Sequence, residues 1–341
     1  MFAALSFLLF FLLFVADIMT GSADISVPDV LRAIAGKGAD PMARTIVLEI
    51  RLVRAVAAIL AGVAVSVCGL LMQTFFRNPL AGPYVLGVNS GACLGAALFV
   101  LGLPSMASGV ASGVASGVVP AGTGIVLAQL GLAGAAWAGA AAVMILVAWV
   151  SRRTRNIMTV LILGIMFGSG IDALVQLLQY FSNGETLKSY VLWTMGSLGR
   201  VTLEQLPLLC LATLAGLSMS AMIVKQLNLL LMGEEYAVTM GCNIYRTRTF
   251  IYIIIVLMAG TVTALCGPIG FIGLAVPHVA RWLTGSADHR TVLPGTAMAG
   301  AVVMLLCDIA ATSLAVPVNV LTSFLGVPIV IYIVLHVKAA L

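Results

Sequence analysis

The sequence has 341 residues, 62% of them hydrophobic and only 9% charged, with a net charge of +5 and a mean hydropathy of +1.16. A water-facing domain carries about 25% charged residues. Most of this surface therefore faces lipid, which excludes a soluble enzyme, and the positive charge is too dispersed for a nucleic-acid partner.

Each membrane crossing needs about 20 mostly apolar residues, and the chain reads as one all-α polytopic domain over residues 1–341 with about ten crossings. The first run, Phe2 to about Met19, lacks the basic start of a cleaved signal peptide and reads as a retained span. Residues 21–50 are mixed and polar, with Pro28, Gly36, Gly38 and Pro41; within this outer-side segment VPDVLRAIAG suits a short amphipathic helix at the surface. A second span covers about Val53–Phe76 and stops at Arg77-Asn78-Pro79. The turn NPLAGPYVLG leads to a third over about Val88–Leu103. Residues 105–124 are low-complexity Gly, Ser and Ala, a loop or a poorly defined helix end.

Span four covers about Ile125–Val150 and closes on Arg152, Arg153 and Arg155, and span five covers about Ile157–Phe181. After the polar stretch Ser182–Glu204, span six covers about Leu206–Val224, followed by a long polar segment over 225–248. Spans seven to ten fall at about Phe250–Cys266, Ile269–Leu283, Val292–Leu314 and Val320–Val337. An even number puts both termini on one side. With the termini inside, the inner loops hold Arg77, Arg152, Arg153, Arg155, Lys225, Arg246, Arg248, Arg281, Arg290 and Lys338. The outer segments then hold Arg32, Lys37, Arg44, Arg51, Arg54, Lys188 and Arg200, an asymmetry in the sense of the positive-inside rule.

Catalytic signatures are missing. There is no G-x-x-x-x-G-K-[ST] phosphate loop, no G-x-S-x-G elbow and no H-E-x-x-H, and His278, His289 and His336 are too dispersed for a metal site. The six cysteines stand singly in apolar surroundings and read as small packing residues. No cofactor is expected on this chain. A conduit, a receptor or a scaffold remains.

Several features favour a conduit. Gly, Ala and Ser are abundant in the spans and allow close helix approach. Gly267-Pro268-Ile-Gly270-Phe-Ile-Gly273, followed by Pro277, interrupts a helix at membrane depth, where broken backbone must be buried or line a cavity. Alternatively a helix simply begins late, with Pro277 in its first turn. Asp172 and Asp308 are ionisable residues inside apolar runs, marking a pathway or, at Asp308 above all, a bond to a neighbouring helix. His278 and Arg281 share a helical face, with Arg281 expected to snorkel to the inner interface. Leu227–Arg248 reads as two short helices with a turn near Gly241, either a surface pair that docks a cytoplasmic partner or an ordinary loop.

Motifs in order along the chain resemble the FecCD-type permeases of ATP-driven ABC importers (type II), which take up iron chelates, haem or vitamin B12. Arg51-Leu-Val-Arg54 resembles an R-L-P-R entry to the second span, and Asn78-Pro79-Leu-Ala-Gly-Pro-Tyr-Val-Leu-Gly87-Val-Asn-Ser-Gly-Ala resembles N-P-L-A-x-P-x-x-L-G-V-S-S-G-A. Trp193-Thr-Met-Gly196-Ser197-Leu resembles W-x-x-G-S-L, and Gly233-Glu234-Glu235-Tyr-Ala237-Val-Thr-Met240-Gly241 resembles G-E-x-x-A-x-x-L-G. Gly267 to Arg281 and Asp288-His289-Arg290 are close to G-P-I-G-F-x-G-L-x-x-P-H-x-x-R and D-H-R.

The resemblance implies a subunit in a bacterial-type cytoplasmic (inner) membrane that pairs with a second permease subunit. It also implies two cytoplasmic ATPases, which use the ATP, and a substrate-binding protein outside; an iron–siderophore complex is the first expectation for the cargo. Leu230, Leu231, Gly233, Glu234, Glu235, Ala237, Met240, Gly241 and Arg246 would form the ATPase-coupling segment within 225–248. Arg51 and Arg54 would dock the binding protein through bidentate carboxylate contacts. Asp172, Gln176, Gln179, Tyr180, Trp193, Gly196 and Ser197 would line the pathway and its outer mouth. Asn78, Pro79, Gly87, Gly267, Pro268, Gly270, Gly273, Pro277, His278, Arg281 and Asp308 would shape and interrupt helices. The chain departs from the pattern at Ala311-Thr312, where relatives often carry Ala-Arg, and at Pro317-Val318-Asn319, where they carry P-x-G.

Overall fold

The computed structural model describes residues 2–21, 23, 25–36, 40–102, 121–154 and 157–336, and every regular element among them is helical. In chain order these are α1 (Phe2–Met19), α2 (Val27–Ala35), α3 (Pro41–Phe76), α4 (Val88–Gly102), α5 (Ala121–Ser151), α6 (Ile157–Tyr180) and α7 (Gly184–Thr194). There follow α8 (Leu206–Met222), α9 (Val224–Leu231), α10 (Glu234–Thr239), α11 (Ile244–Cys266), α12 (Ile272–Thr284), α13 (His289–Leu314) and α14 (Val318–His336). Helices α3, α5, α6, α11 and α13 are long and apolar enough to cross a membrane, and α8 with α9, bent by 58°, makes a sixth candidate. Helices α1, α4 and α14 are apolar but shorter, and α12 has 13 residues.

Each expected span has its helix. The low-complexity stretch expected as a loop over 105–124 lies outside the described residues up to 120, and α5 starts at Ala121 rather than near Ile125. Lys37, Arg155 and Lys338 also lie outside them. The polar segment before the second span holds the expected amphipathic helix, α2. It starts with Pro28 in its first turn and ends on Gly36, whose left-handed backbone (φ 70°) lets its N–H reach Arg32 O.

The second span is longer than expected. Helix α3 runs 36 residues from Pro41, about 54 Å at 1.5 Å per residue, against a hydrocarbon core of about 30 Å. The polar residues before Arg51 join it because Pro41 stands in the first helical turn and a π-helical stretch, Ile46–Arg51, carries the helix onward without a break.

Helix α3 is the core element, buried along most of its length. It runs antiparallel to α13: Arg54 meets Asp308 at one end and Thr74 meets His289 at the other. Two close approaches need glycine on both sides, Gly62 against Gly300 of α13 and Gly69 against Gly273 of α12; a Cβ at either α3 position would strike partner backbone. Dispersion between backbones at this spacing takes the place of the hydrophobic force that lipid cannot supply.

The interruption after Cys266 lies where the sequence suggested. Gly267 (φ 78°) ends α11, residues 267–271 are non-helical, and α12 begins at Ile272. Pro277 is therefore inside α12, and the reading of Pro277 as a first-turn residue of a late helix is corrected. Helix α12 begins beside Gly69, seven residues before α3 ends at Phe76, and its 13 residues rise only about 20 Å, so the non-helical 267–271 stretch completes the crossing. Its polar groups are met by protein: Ser197 N donates to Cys266 O (2.7 Å), and Gly270 N donates to Asn319 Oδ1 (3.0 Å).

Candidate functional site

The Thr74 end of the bundle carries the α9–α10 pair. Leu227, Leu230 and Ala237 are buried and fix one face of the pair to the body, so Leu230 and Ala237 anchor the segment rather than meeting a partner. Gly233 (φ 112°) joins the two helices in a backbone conformation that only glycine adopts readily. The outer face is open: Leu231, Met232, Glu235, Tyr236, Val238, Met240, Gly241 and Arg246 are exposed. A patch of Met, Tyr and Val beside a carboxylate and a guanidinium has the composition of a protein-docking surface.

Two polar clamps hold this pair. On one side Arg248 Nη2 lies 3.7 Å from Glu234 Oε1 of α10. Its Nη1 donates to Ser151 O (3.1 Å) and Ser151 Oγ (2.9 Å) at the C-terminus of α5, and to Thr154 O (3.4 Å). Helix carbonyl ends favour a cation there. The guanidinium also sits 5.5 Å over the Phe75 ring of α3. A cavity of about 750 Å³ opens between α10 and the end of α5, with Glu234, Glu235 and Arg248 in its wall. On the other side Asn228 Nδ2 donates to Asp288 Oδ1 (2.6 Å) and Asn228 Oδ1 accepts from His289 N (2.9 Å), tying α9 to the start of α13. The Arg290 N–H and then the Asn228 amide hold the exposed Asp288 carboxyl below its ordinary range.

Near the same end Arg281 Nη1 donates to Gln73 Oε1 (2.8 Å) and His278 Nε2 bonds Pro79 O (2.8 Å). Arg281 thus braces α12 against α3 instead of snorkelling. Asn78 Oδ1 accepts from Leu80 N (2.9 Å) in the turn after α3, and Gly87 (φ 79°) starts α4.

At the opposite end the two arginines expected to face a binding protein turn inward. Arg51 is 3% exposed and donates to Ile18 O, Met19 O and Ala23 O. Arg54 Nε lies 2.8 Å from Asp308 Oδ2, and its Nη2 lies 3.8 Å from Asp17 Oδ1. The docking expectation for both is corrected: Arg51 is turned onto carbonyls at the end of α1 and just beyond it, and Arg54 onto Asp308, Asp17 and Thr20 O. Asp308 is the helix-to-helix bond that the sequence allowed. Asp17 escaped the sequence reading, although a lone acid in FAALSFLLFFLLFVADIM was a usable signal. In the sequence Arg248 stands only as an inner-loop charge at the end of Leu227–Arg248, with nothing to mark its partners.

The expected pathway residues separate into two groups. Ser169, Asp172, Gln176 and Tyr180 form an exposed stripe along α6, with Tyr180 82% exposed and Gln179 half-buried beside it. Trp193 is 2% exposed, packed on Tyr190, and Gly196 is buried against Gly267, with Pro268 O close by. Those two are buried and support the α11–α12 break; Ser197, half-buried, supplies the amide that caps Cys266 O.

The model of the FecCD transport family matches residues 8–336. The hemin transport system permease protein HmuU of Yersinia pestis is 34% identical over 294 residues, covering 85% of this chain and 83% of that protein. The vitamin B12 import system permease protein BtuC of Salmonella typhi is 34% identical over 297 residues, with the same coverages of 85% and 83%. Among solved structures, a chain of an ABC transporter assigned to the metal-chelate type, in an inward-facing conformation, superposes with a TM-score of 0.80 at 28% identity, covering 98% of this chain and 99% of that one.

Proposed function

The chain belongs to the FecCD transport family and is the permease subunit of an ABC importer, and on that premise we propose that its α9–α10 pair is the seat of a cytoplasmic ATPase. The observation that carries this reading is the combination of an open apolar face with two internal clamps. A handle must bind outward and transmit inward, and the Arg248 and Asn228 bonds lead from the pair into α5, α3 and α13. ATPase closure would then shift the balance between two arrangements of the spans. The chain itself supplies no nucleotide chemistry in this scheme; the partner ATPases use the ATP.

In this reading the pathway runs along the α6 stripe, at the face where a second permease subunit packs. An ionisable residue in a span faces protein or a water-filled cavity, and Asp172 is exposed on the single chain. The Arg54 end is the outer side in this arrangement, with a bacterial inner membrane between the ends. The binding protein docks there on exposed charges such as Arg44 and Lys188 rather than on Arg51 and Arg54. The cargo is a metal chelate, an iron–siderophore complex in the first instance, with haem or a corrinoid as the alternatives that the relatives' names suggest.

Uptake in proteoliposomes tests the assignment. Transport should require this chain, an ATPase, ATP and a loaded binding protein. Uptake by the chain alone, driven by an ion gradient, would make it a secondary carrier and end the reading. The ligand that the partner binding protein retains on purification identifies the cargo.

A further inference from the structure

A second cavity, of about 940 Å³, lies on the flank of the bundle between α1, α3, α8 and α13. Its walls are mostly apolar, with Phe10, Val63, Leu217 and Ala301 representing the four helices, but its end at the α9–α10 side carries Lys225, Gln226, His289 and Arg290. Both cations are exposed, and no carboxylate among the described residues forms an ion pair with either. Asp288, the nearest acid in sequence, directs Oδ1 to Asn228 and to the backbone N–H of Arg290 and does not line the cavity. His289, in the wall, already bonds Thr74 and Asn228 through its two ring nitrogens. Neither group competes for a ligand at the two cations.

The dimensions fit one molecule class. From Arg290 to Ala301 the groove follows α13 for about 16 Å, which is one leaflet of a hydrocarbon core about 30 Å thick. The helices beside it present exposed Phe7, Leu8, Phe11, Leu211 and Leu214, as a lipid-facing wall does. An apolar slot of leaflet depth with two cations at its headgroup end is complementary to an anionic headgroup above acyl chains.

We propose that this groove is a binding site for an anionic phospholipid of the leaflet that surrounds the α9–α10 pair. The lipid phosphate sits between Lys225 and Arg290, and an acyl chain follows α13 toward Ala301. Because Lys225 belongs to α9 and Arg290 to the first turn of α13, the headgroup bridges the same two elements as the Asn228 clamp. None of the residues lining the groove belongs to α6. Its placement at the cytoplasmic leaflet rests on the orientation proposed above; the lipid contact itself does not.

Native mass spectrometry of the detergent-purified permease–ATPase complex tests the site, titrated with phosphatidylglycerol, with phosphatidylcholine of the same chains, and with inorganic phosphate. Two surface cations should favour the anionic lipid roughly 30-fold over the zwitterionic one, with no binding of phosphate alone at matched concentration. The Lys225→Gln/Arg290→Gln variant should bind both lipids alike, and Ala297→Trp, which fills the half-buried middle of the slot, should lower occupancy by both. Equal retention of the two lipids by wild type, or discrimination unchanged in the charge variant, overturns the proposal. So does phosphate binding without chains, or a Met222→Cys cross-link between two copies showing that protein covers the groove. The readout is bound lipid mass, so a failure here leaves the importer assignment standing, and uptake failure leaves the lipid site standing.

Discussion

Arg54 Nε stands 2.8 Å from Asp308 Oδ2 while Nη2 of the same guanidinium lies 3.8 Å from Asp17 Oδ1, so one cation joins α1 and α13 to the central helix. Arg54→Met would leave two carboxylates in the interior with no cation. Loss of one partner of a buried pair costs about 3–5 kcal/mol, and α1 should detach first. Adding Asp17→Asn and Asp308→Asn to that variant should restore most of the stability, because no uncompensated charge remains. Thermal unfolding in detergent checks both; an Arg54→Met protein as stable as wild type would show that the three groups are not a clamp.

The Arg248–Glu234 contact joins the α9–α10 pair to α5 and α3 rather than the bundle to itself. Arg248→Met should leave ATPase binding in place, since the outer face with Glu235, Tyr236 and Met240 is untouched. Uptake per ATP hydrolysed should fall roughly tenfold, within the usual range of coupling energies. Glu235→Arg should do the reverse and weaken ATPase co-purification. Exchanging the pair, Glu234→Arg with Arg248→Glu, should recover only part of the coupling, because the carboxylate cannot donate to Ser151 O and Thr154 O.

These contacts mark where sequence reading stops. The spans were legible because apolar runs of membrane length have few other uses, and the break at Gly267 was legible because glycine and proline act locally. What a charged side chain at a span end turns toward is not local. Arg51 and Arg54 suit an outer docking site in sequence, yet their partners lie in α1 and α13, far away along the chain. Trp193 and Gly196 likewise belong to a polar stretch by sequence but to the core by position, since the α11–α12 break needs a backbone to close against. The stripe on α6 was partly visible from Asp172, Gln176 and Tyr180 at helical spacing.

The Asp288 carboxyl gives a pH dependence. Its pKa is held below the usual 3.8 by the Arg290 N–H and the Asn228 amide. A depressed acid contributes stability above its unfolded pKa and loses it as pH falls through the lower folded value. The α9–α13 clamp should therefore be constant from neutral pH to about 5 and loosen only below about 4. Hydrogen exchange of the α9 amides against pH reads this directly. In Asp288→Asn the acid step should vanish; an unchanged step would assign it to another group.

Helix contacts at glycine predict a sharp split between positions of the same residue type. Gly69→Val forces a side chain into the Gly273 backbone and Gly62→Val into Gly300; overpacking at rigid backbone should cost about 3 kcal/mol or more and sharply reduce the folded yield. Gly170 in α6 has open space around its missing Cβ, and Gly170→Ala should stabilise the helix by up to about 1 kcal/mol through propensity alone. Folded yield on size-exclusion chromatography distinguishes the two classes.

Lipid and a water-filled pathway make opposite demands on Asp172 in the α6 stripe. A carboxylate facing hydrocarbon is disfavoured by about 2.5–3.5 kcal/mol at the centre of a span. If Asp172 faced lipid in the assembled importer, Asp172→Leu would raise stability by a comparable amount and leave uptake alone. Facing a water-filled pathway beside a second subunit, the same change should leave stability nearly unmoved and reduce uptake, because it removes the charge from a stripe otherwise made of Ser169, Gln176 and Tyr180. Gln176→Cys, one turn further along, should then be open to a small water-soluble maleimide in the intact complex and closed to a lipid-confined one. Labelling of the Gln176→Cys variant by the lipid-confined reagent, together with undiminished uptake in Asp172→Leu, would move the pathway to another face of the bundle.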